Sequence, residues 1–158
     1  MEKEFNDITN NPPKGVALKK TQEPNKWELT LTGPEGSVYS GHLFKVLCVF
    51  PDNYPFKMPD FIFETMIWHP NVTSDKGEIC KEMLGEKDWV PTKQVKSIIE
   101  VIASMLAEPN NDAALNHEAS KQYKENKAEF DKNAKEYIHK YCKNWFKIIC
   151  LSLCWTCL

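Results

Sequence analysis

The chain has no arginine: all 20 of its basic residues are lysines. Without a guanidinium it lacks the planar, bidentate fork that grips phosphates and guanine edges. Those lysines face 22 acidic residues, for a formal net charge of −2, so no basic footprint for nucleic acid is present. No apolar run reaches the ~20 residues that a bilayer span requires. Met1-Glu2-Lys3-Glu4 is charged and leads into no apolar stretch, which argues against a secretory leader. The six cysteines are therefore expected in a reducing compartment, cytoplasmic, nuclear or both, where disulfides are uncommon. There is no βαβ alternation and no internal repeat.

The elements that are present fall into two blocks. Glu2 to Asn10 has helical composition and is stopped by Asn11-Pro12-Pro13. Strand-like pieces follow at Gly15 to Lys20, Trp27 to Thr32, His42 to Phe50 and Phe61 to Glu64, separated by Gly33-Pro34-Glu35-Gly36 and Pro51-Asp52-Asn53-Tyr54-Pro55. Short turns between neighbouring strands predict an antiparallel meander. From Thr92 the period becomes helical, with Val95, Ile98, Ile99, Ile102, Met105 and Leu106 forming one apolar stripe. Two more helices fit Asn116 to Glu125 and Lys127 to about Lys143, the latter with Phe130, Ala134, Tyr137, Ile138 and Tyr141 on one face. Segregated strands and helices predict an α+β fold: a four-stranded meander sheet with one N-terminal and three C-terminal helices.

Between the strands and the second helix lies a long segment rich in turn formers, and Cys80 sits inside it. His69-Pro70-Asn71 precedes the cysteine and Trp89-Val90-Pro91 follows it. An irregular segment of that length in a compact domain is more often functional than accidental. Taken alone, Cys80 reads as a buried structural thiol, and its place in this irregular segment leaves a nucleophile as the alternative. Cys48, in an alternating stretch, reads as core. His69 has no second ligand at useful spacing, so a structural role through backbone hydrogen bonds is expected and a metal is not. Trp89 reads as a packing anchor beneath the loop. Phe56 reads as core or as a partner contact, the latter favoured by its proline-flanked loop.

In register over about a hundred residues, Asn11-Pro12-Pro13, Gly33-Pro34-Glu35-Gly36, Tyr54-Pro55-Phe56-Lys57, His69-Pro70-Asn71, Cys80, Trp89-Val90-Pro91 and Glu108-Pro109-Asn110 resemble the ubiquitin-conjugating enzymes. The resemblance implies a UBC core over residues 1–145, followed by a cysteine-rich hydrophobic tail over 146–158. It implies that Cys80 accepts ubiquitin from the activating enzyme as a thioester and passes it to a substrate lysine or a ligase cysteine. No bound cofactor is implied, because ATP is consumed by the activating enzyme. Partners would be ubiquitin, the activating enzyme, protein substrates and a RING or HECT/RBR-type ligase, the last meeting Phe56, Val90 and Pro91. By matched position Asn71 either stabilises the oxyanion or braces the loop, and Glu82 and Asp112 are the acidic candidates for handling an incoming amine. His69, Pro70 and Trp89 would be structural at the active site.

Several departures accompany the resemblance. Many relatives carry Asp-Asp-Pro-Leu where this chain has Asp112-Ala113-Ala114-Leu115, so the aspartate usually credited with handling the lysine is Ala113. The first helix is about one turn shorter than usual, and Glu100 stands at a position that is apolar in some relatives. Two alternatives are retained: a non-catalytic ubiquitin- or ligase-binding module of the same fold, and a carrier of a ubiquitin-like modifier. The last eleven residues, Ile148 to Leu158, carry no charged side chain. They are too short to span a bilayer, and Trp155 stands where prenylation requires cysteine. Acylation of Cys150, Cys154 or Cys157 would give reversible membrane attachment; otherwise the tail docks on the body or is disordered. Two paired C-x-x-C spacings for zinc are not present.

Overall fold

The computed structural model describes residues 1–142; the hydrophobic tail lies outside them. The chain runs α1 (Glu2–Asn10), β1 (Val16–Lys20), β2 (Lys26–Thr32), β3 (Leu43–Val49), β4 (Asp60–Phe63), α2 (Val95–Met105), α3 (His117–Glu125) and α4 (Lys127–Tyr141). The strands form one sheet in the order β1-β2-β3-β4, every neighbouring pair antiparallel. The expected α+β meander is the fold found, with strand ends shifted by about one residue.

Register follows from the alternation of side chains. In β2, Trp27, Leu29 and Leu31 are buried. They stand opposite Cys48, Val46 and Phe44 of β3, and Cys48 and Val46 in turn face Phe61 and Phe63 of β4. A slip of one residue would turn all of these toward water, so the apolar pattern pins the pairing. The α2 stripe of Val95, Ile98, Ile99, Ile102 and Met105 is buried as its period requires and joins the sheet residues in one core.

The helix ends are fixed by side chains. Asn116 proves to be the N-cap of α3, its amide oxygen accepting from the Ala119 N–H at 3.0 Å. Gln94, at the head of α2, makes no side-chain cap. Instead Glu4, from α1, accepts from the Val95 N–H at 3.4 Å. In α4, Phe130, Ala134 and Ile138 are buried, whereas Tyr141 is 37% exposed. Tyr137 lies against Trp68, ring centroids 5.4 Å apart, and Trp68 Nε1 donates to Gln122 Oε1 at 3.1 Å. These contacts attach the last two helices to the segment entering the Cys80 region.

That region begins where the chain returns along the edge strand β4. Ile62 bridges Glu78, Val72 bridges Ile79, and the Phe63 N–H donates to the Gly77 carbonyl at 2.8 Å. The edge of β4 is thereby covered, which removes a template for aggregation. Gly77 makes this approach feasible: its φ is +70°, and a Cβ there would lie 2.2 Å from the Phe63 carbonyl oxygen. Gly36 has φ +81° but open space around it. Gly36→Ala should therefore cost only the left-handed penalty of about 1–2 kcal/mol. Gly77→Ala should cost clearly more, about 3 kcal/mol or above, as a backbone clash adds to that strain. Urea denaturation of the two variants checks the order; equal losses would contradict the tight approach.

Candidate active site

Three consecutive residues hold the region together. His69 is fully buried; its Nε2 lies 2.9 Å from the Met105 carbonyl, and its Nδ1 lies 3.1 Å from the Asn71 N–H. A carbonyl can only accept and an N–H can only donate, so the imidazole is neutral with its proton on Nε2. Burial lowers its pKa to about 4, although the bond to Met105 works in the opposite direction. The Pro70 carbonyl accepts from the N–H groups of both Leu115 and Asn116, at 2.8 and 2.9 Å. Asn71, also fully buried, donates both hydrogens of Nδ2, to the Asn110 carbonyl at 2.5 Å and the Ala113 carbonyl at 2.9 Å. Its Oδ1 accepts from the Asn110 N–H at 2.9 Å. In this geometry the Asn71 side chain braces the turn Asn110–Ala113 and has no free hydrogen for an oxyanion.

Cys80 is fixed to the same segment. Its N–H donates to the Asn71 carbonyl at 3.2 Å, and its own carbonyl accepts from Leu84 at 3.3 Å. The residue is 8% exposed and lines a groove of about 540 Å³. Phe61, Ile79, Leu84 and Leu115 contribute apolar surface to this groove, and Asp60, Lys81 and Glu82 contribute charge. His69 has both ring nitrogens engaged elsewhere, so it offers Cys80 no base. No group of three or more potential metal ligands occurs among the described residues.

The two acidic candidates are placed differently. Glu82 lines the groove with Cys80 and pairs with Lys87 at 2.9 Å. Asp112 is exposed in a short 3-10 turn, its N–H donating to Asn110 Oδ1 at 3.0 Å, and it does not line the groove. Ala113 supplies a backbone carbonyl to Asn71, so the turn keeps its brace without the aspartate found in many relatives. Cys48 is fully buried in the core.

A second surface is exposed on two linked loops. Phe56 is 78% exposed, so it is not core; Val90 and Pro91 are exposed as well. Trp89 joins their two loops, its Nε1 donating to the Pro55 carbonyl at 2.8 Å with its ring 6.3 Å from that of Tyr54. Tyr54 in turn donates its hydroxyl to Glu4 Oε2 at 2.6 Å. Burial and this carboxylate raise the Tyr54 pKa well above the usual phenol value. Sequence reasoning missed the Glu4 clip, which joins residues 91 positions apart. It also missed Asp60 and Lys81, for which only adjacency of Lys81 to Cys80 offered a signal.

Residues 1–138 match the sequence profile of the ubiquitin-conjugating enzymes. The chain is 35% identical over 144 residues to ubiquitin conjugating enzyme E2 B of Dictyostelium discoideum, covering 90% of this chain and 96% of that one. A Plasmodium yoelii structure described as a candidate ubiquitin conjugating enzyme superposes with a TM-score of 0.81 at 32% identity, over 90% of this chain and 93% of that one. The E2 domain of a Toxoplasma gondii ubiquitin conjugating enzyme gives 0.79 at 31% identity, over 90% and 96%.

The buried imidazole sets a pH dependence. Its folded pKa of about 4 lies below the ordinary value of about 6.5, so between these values the unfolded chain binds more protons than the folded one. Stability therefore falls as pH drops from about 6.5 toward 4, by about 3 kcal/mol from this residue. At neutral pH both states are unprotonated and the effect vanishes. Urea midpoints across this window should fall more steeply for the wild type than for His69→Gln; parallel slopes would refute the assignment.

Proposed function

The chain belongs to the ubiquitin-conjugating enzyme family, and from that premise we propose that Cys80 carries ubiquitin as a thioester. The observation that carries this reading is the position of Cys80 on the groove wall, its backbone tied to Asn71. In charging, the Cys80 sulfur attacks the thioester carbonyl that links ubiquitin to the activating enzyme. One carbon–sulfur bond forms as another breaks, and the activating enzyme leaves as a thiolate. Attacker and leaving group are alike, so the step is nearly isoenergetic and requires no dedicated base. No resident cofactor takes part, and ATP is consumed upstream.

Discharge onto a lysine asks more of the surroundings, because the amine must lose its proton. Glu82, on the groove, and Asp112, in the braced turn, are the carboxylates proposed to orient or deprotonate it. Asn71 holds that turn, and a contribution to the oxyanion would require it to release the Ala113 or Asn110 carbonyl. Phe56, Val90 and Pro91 form the proposed ligase-facing surface: an exposed aromatic beside a proline, fixed by Trp89, is the anchor type that dominates interfaces. A RING ligase would promote transfer to a substrate lysine, and a HECT/RBR-type ligase would accept ubiquitin on its own cysteine. The alanine at 113 favours the second route, since thiol acceptors need less help. The proposed setting is the reducing cytoplasm or nucleus, with membrane attachment only if the tail is acylated.

Incubation with activating enzyme, ATP and ubiquitin should give a band shift that reducing agent abolishes and Cys80→Ala never forms. Parallel reactions with ubiquitin-like modifiers identify the cargo. A shift that survives Cys80→Ala would overturn the assignment of the carrier to Cys80, whereas binding of ubiquitin without any shift would turn the reading toward a non-catalytic module. Ala113→Asp should speed discharge onto free lysine by about tenfold or more, without comparable change in discharge onto a thiol. Equal effects on both acceptors would show that the carboxylate has no role in handling the amine.

A further inference from the structure

The two carboxylate oxygens of Glu4 serve different arms of the surface that carries Phe56 and Val90. Oε2 accepts from the hydroxyl of Tyr54, in the loop of Phe56, at 2.6 Å. Oε1 accepts from the Val95 N–H at 3.4 Å, at the head of the helix that the Val90 loop enters. Trp89 joins the two arms a second time, through the Pro55 carbonyl at 2.8 Å. One side chain of α1 therefore completes a bracket around both loops. Glu4 is itself held in place by its neighbour: Phe5 packs edge-on against Trp27 of β2, ring centroids 5.3 Å apart. Trp27 meets Phe50 at 4.4 Å, and Phe50 meets Tyr54 at 4.9 Å. A nine-residue helix without a side-chain cap is marginal on its own, so this docking is what keeps the carboxylate in position.

Resting on the proposed ligase-facing surface, we propose that Glu4 is a positioning residue for ligase engagement. It sets the Phe56 and Val90 loops in the geometry a ligase takes, so that its loss weakens ligase binding and leaves the chemistry at Cys80 alone. Phe56 is 78% exposed and Val90 47%, so burial fixes neither. A side chain that is loose before contact must be ordered on contact, and that ordering is subtracted from the affinity. Glu4 achieves the ordering in the free protein. The groove is braced separately, by the bonds of His69, Pro70 and Asn71 to Met105, Asn110, Leu115 and Asn116. The two supports share no hydrogen bond, so the effect of Glu4 belongs in half-saturation by ligase and not in the maximal rate. Charge is not what the role requires. A hydroxyl both donates and accepts, so in Glu4→Gln the amide Nε2 can donate to the Tyr54 hydroxyl oxygen while Oε1 still accepts from Val95.

The test uses the full chain, charged and then freed of activating enzyme and ATP. The probe is a RING or HECT domain chosen from a panel for accelerating discharge of the wild-type thioester. Glu4→Ala should raise the ligase concentration at half-maximal discharge about fivefold, the factor that ordering one loose side chain costs on association. Its maximal rate, and its ligase-free discharge onto free lysine, should stay close to wild type. Glu4→Gln should restore half-saturation to near the wild-type value. Tyr54→Phe keeps the ring and frees only the Phe56 arm, so it tests the same bracket if Glu4→Ala unfolds. It should give a smaller rise, and that rise should vanish in a Phe56→Ala background. Circular dichroism at the assay temperature separates these effects from unfolding. Unchanged half-saturation in folded Glu4→Ala and Tyr54→Phe, a loss confined to the maximal or ligase-free rate, or no restoration by Glu4→Gln overturns this inference alone. A charged wild type that no domain of the panel discharges overturns the ligase-facing surface and this inference with it. A wild type that forms no thioester overturns the proposed function itself.

Discussion

The geometry around Cys80 depends on the hydrogen bonds of His69, Pro70 and Asn71. These residues reach the end of α2 through Met105, the turn before α3 through Asn110 and Ala113, and the start of α3 through Leu115 and Asn116. Cys80 itself is tied to the Asn71 carbonyl. The groove wall is thus positioned by polar contacts to segments far apart in sequence, in addition to apolar packing. A buried amide or imidazole left without its partners costs about 1–3 kcal/mol per group, so this arrangement resists partial rearrangement. Such a network is rigid only if every member is satisfied, and Asn71 meets that condition on both its nitrogen and its oxygen.

A second bracket works at the other end of the same loop. Glu4 of α1 holds Tyr54 and the first N–H of α2 together, while Trp89 fastens the Pro55 carbonyl. Phe56 and Val90 can therefore stand exposed on loops that are not loose. An exposed aromatic binds well only if little conformational freedom is lost on contact, and this bracket removes that freedom in advance. The same carboxylate links the first helix to this surface. A change in α1 would therefore be felt at the proposed ligase face through one side chain.

Period and spacing made much of this legible. The buried triplets Trp27-Leu29-Leu31 and Phe44-Val46-Cys48 announce the sheet, and the stripe from Val95 to Met105 announces α2, because burial imposes periods of 2 and 3.6 on any chain. The motifs around Cys80 located the groove. The two readings of Asn71 stayed open in the sequence, because its partners lie 39 and 42 residues away and no local pattern encodes them. The borrowed cap that Glu4 gives α2 was hidden for the same reason. So was the pairing of Asp60 with Lys81, which depends on how the segment after Gly77 lies along β4. Glu82 and Asp112 looked equivalent as acids near a cysteine, and only the fold separates the one that lines the groove from the one that does not.

This arrangement divides polar chemistry by depth. Deep groups such as His69 and Asn71 are neutral and fully engaged, so they set shape without supplying protons or charge. The charged groups lie shallower: Lys81, Glu82 and Lys87 are exposed and Asp60 is half-buried, paired as Lys81 with Asp60 and Glu82 with Lys87. Thiol exchange needs little more than access and a fixed sulfur, which the interior supplies. Amine acylation is sensitive to the charge around the nucleophile, and that charge lies in the shallower residues and in the alanine at 113. Under the proposed thioester chemistry, charging should tolerate changes in surface charge, whereas the choice between a ligase thiol and a substrate lysine should depend on a few exposed side chains that can be altered without disturbing the network beneath.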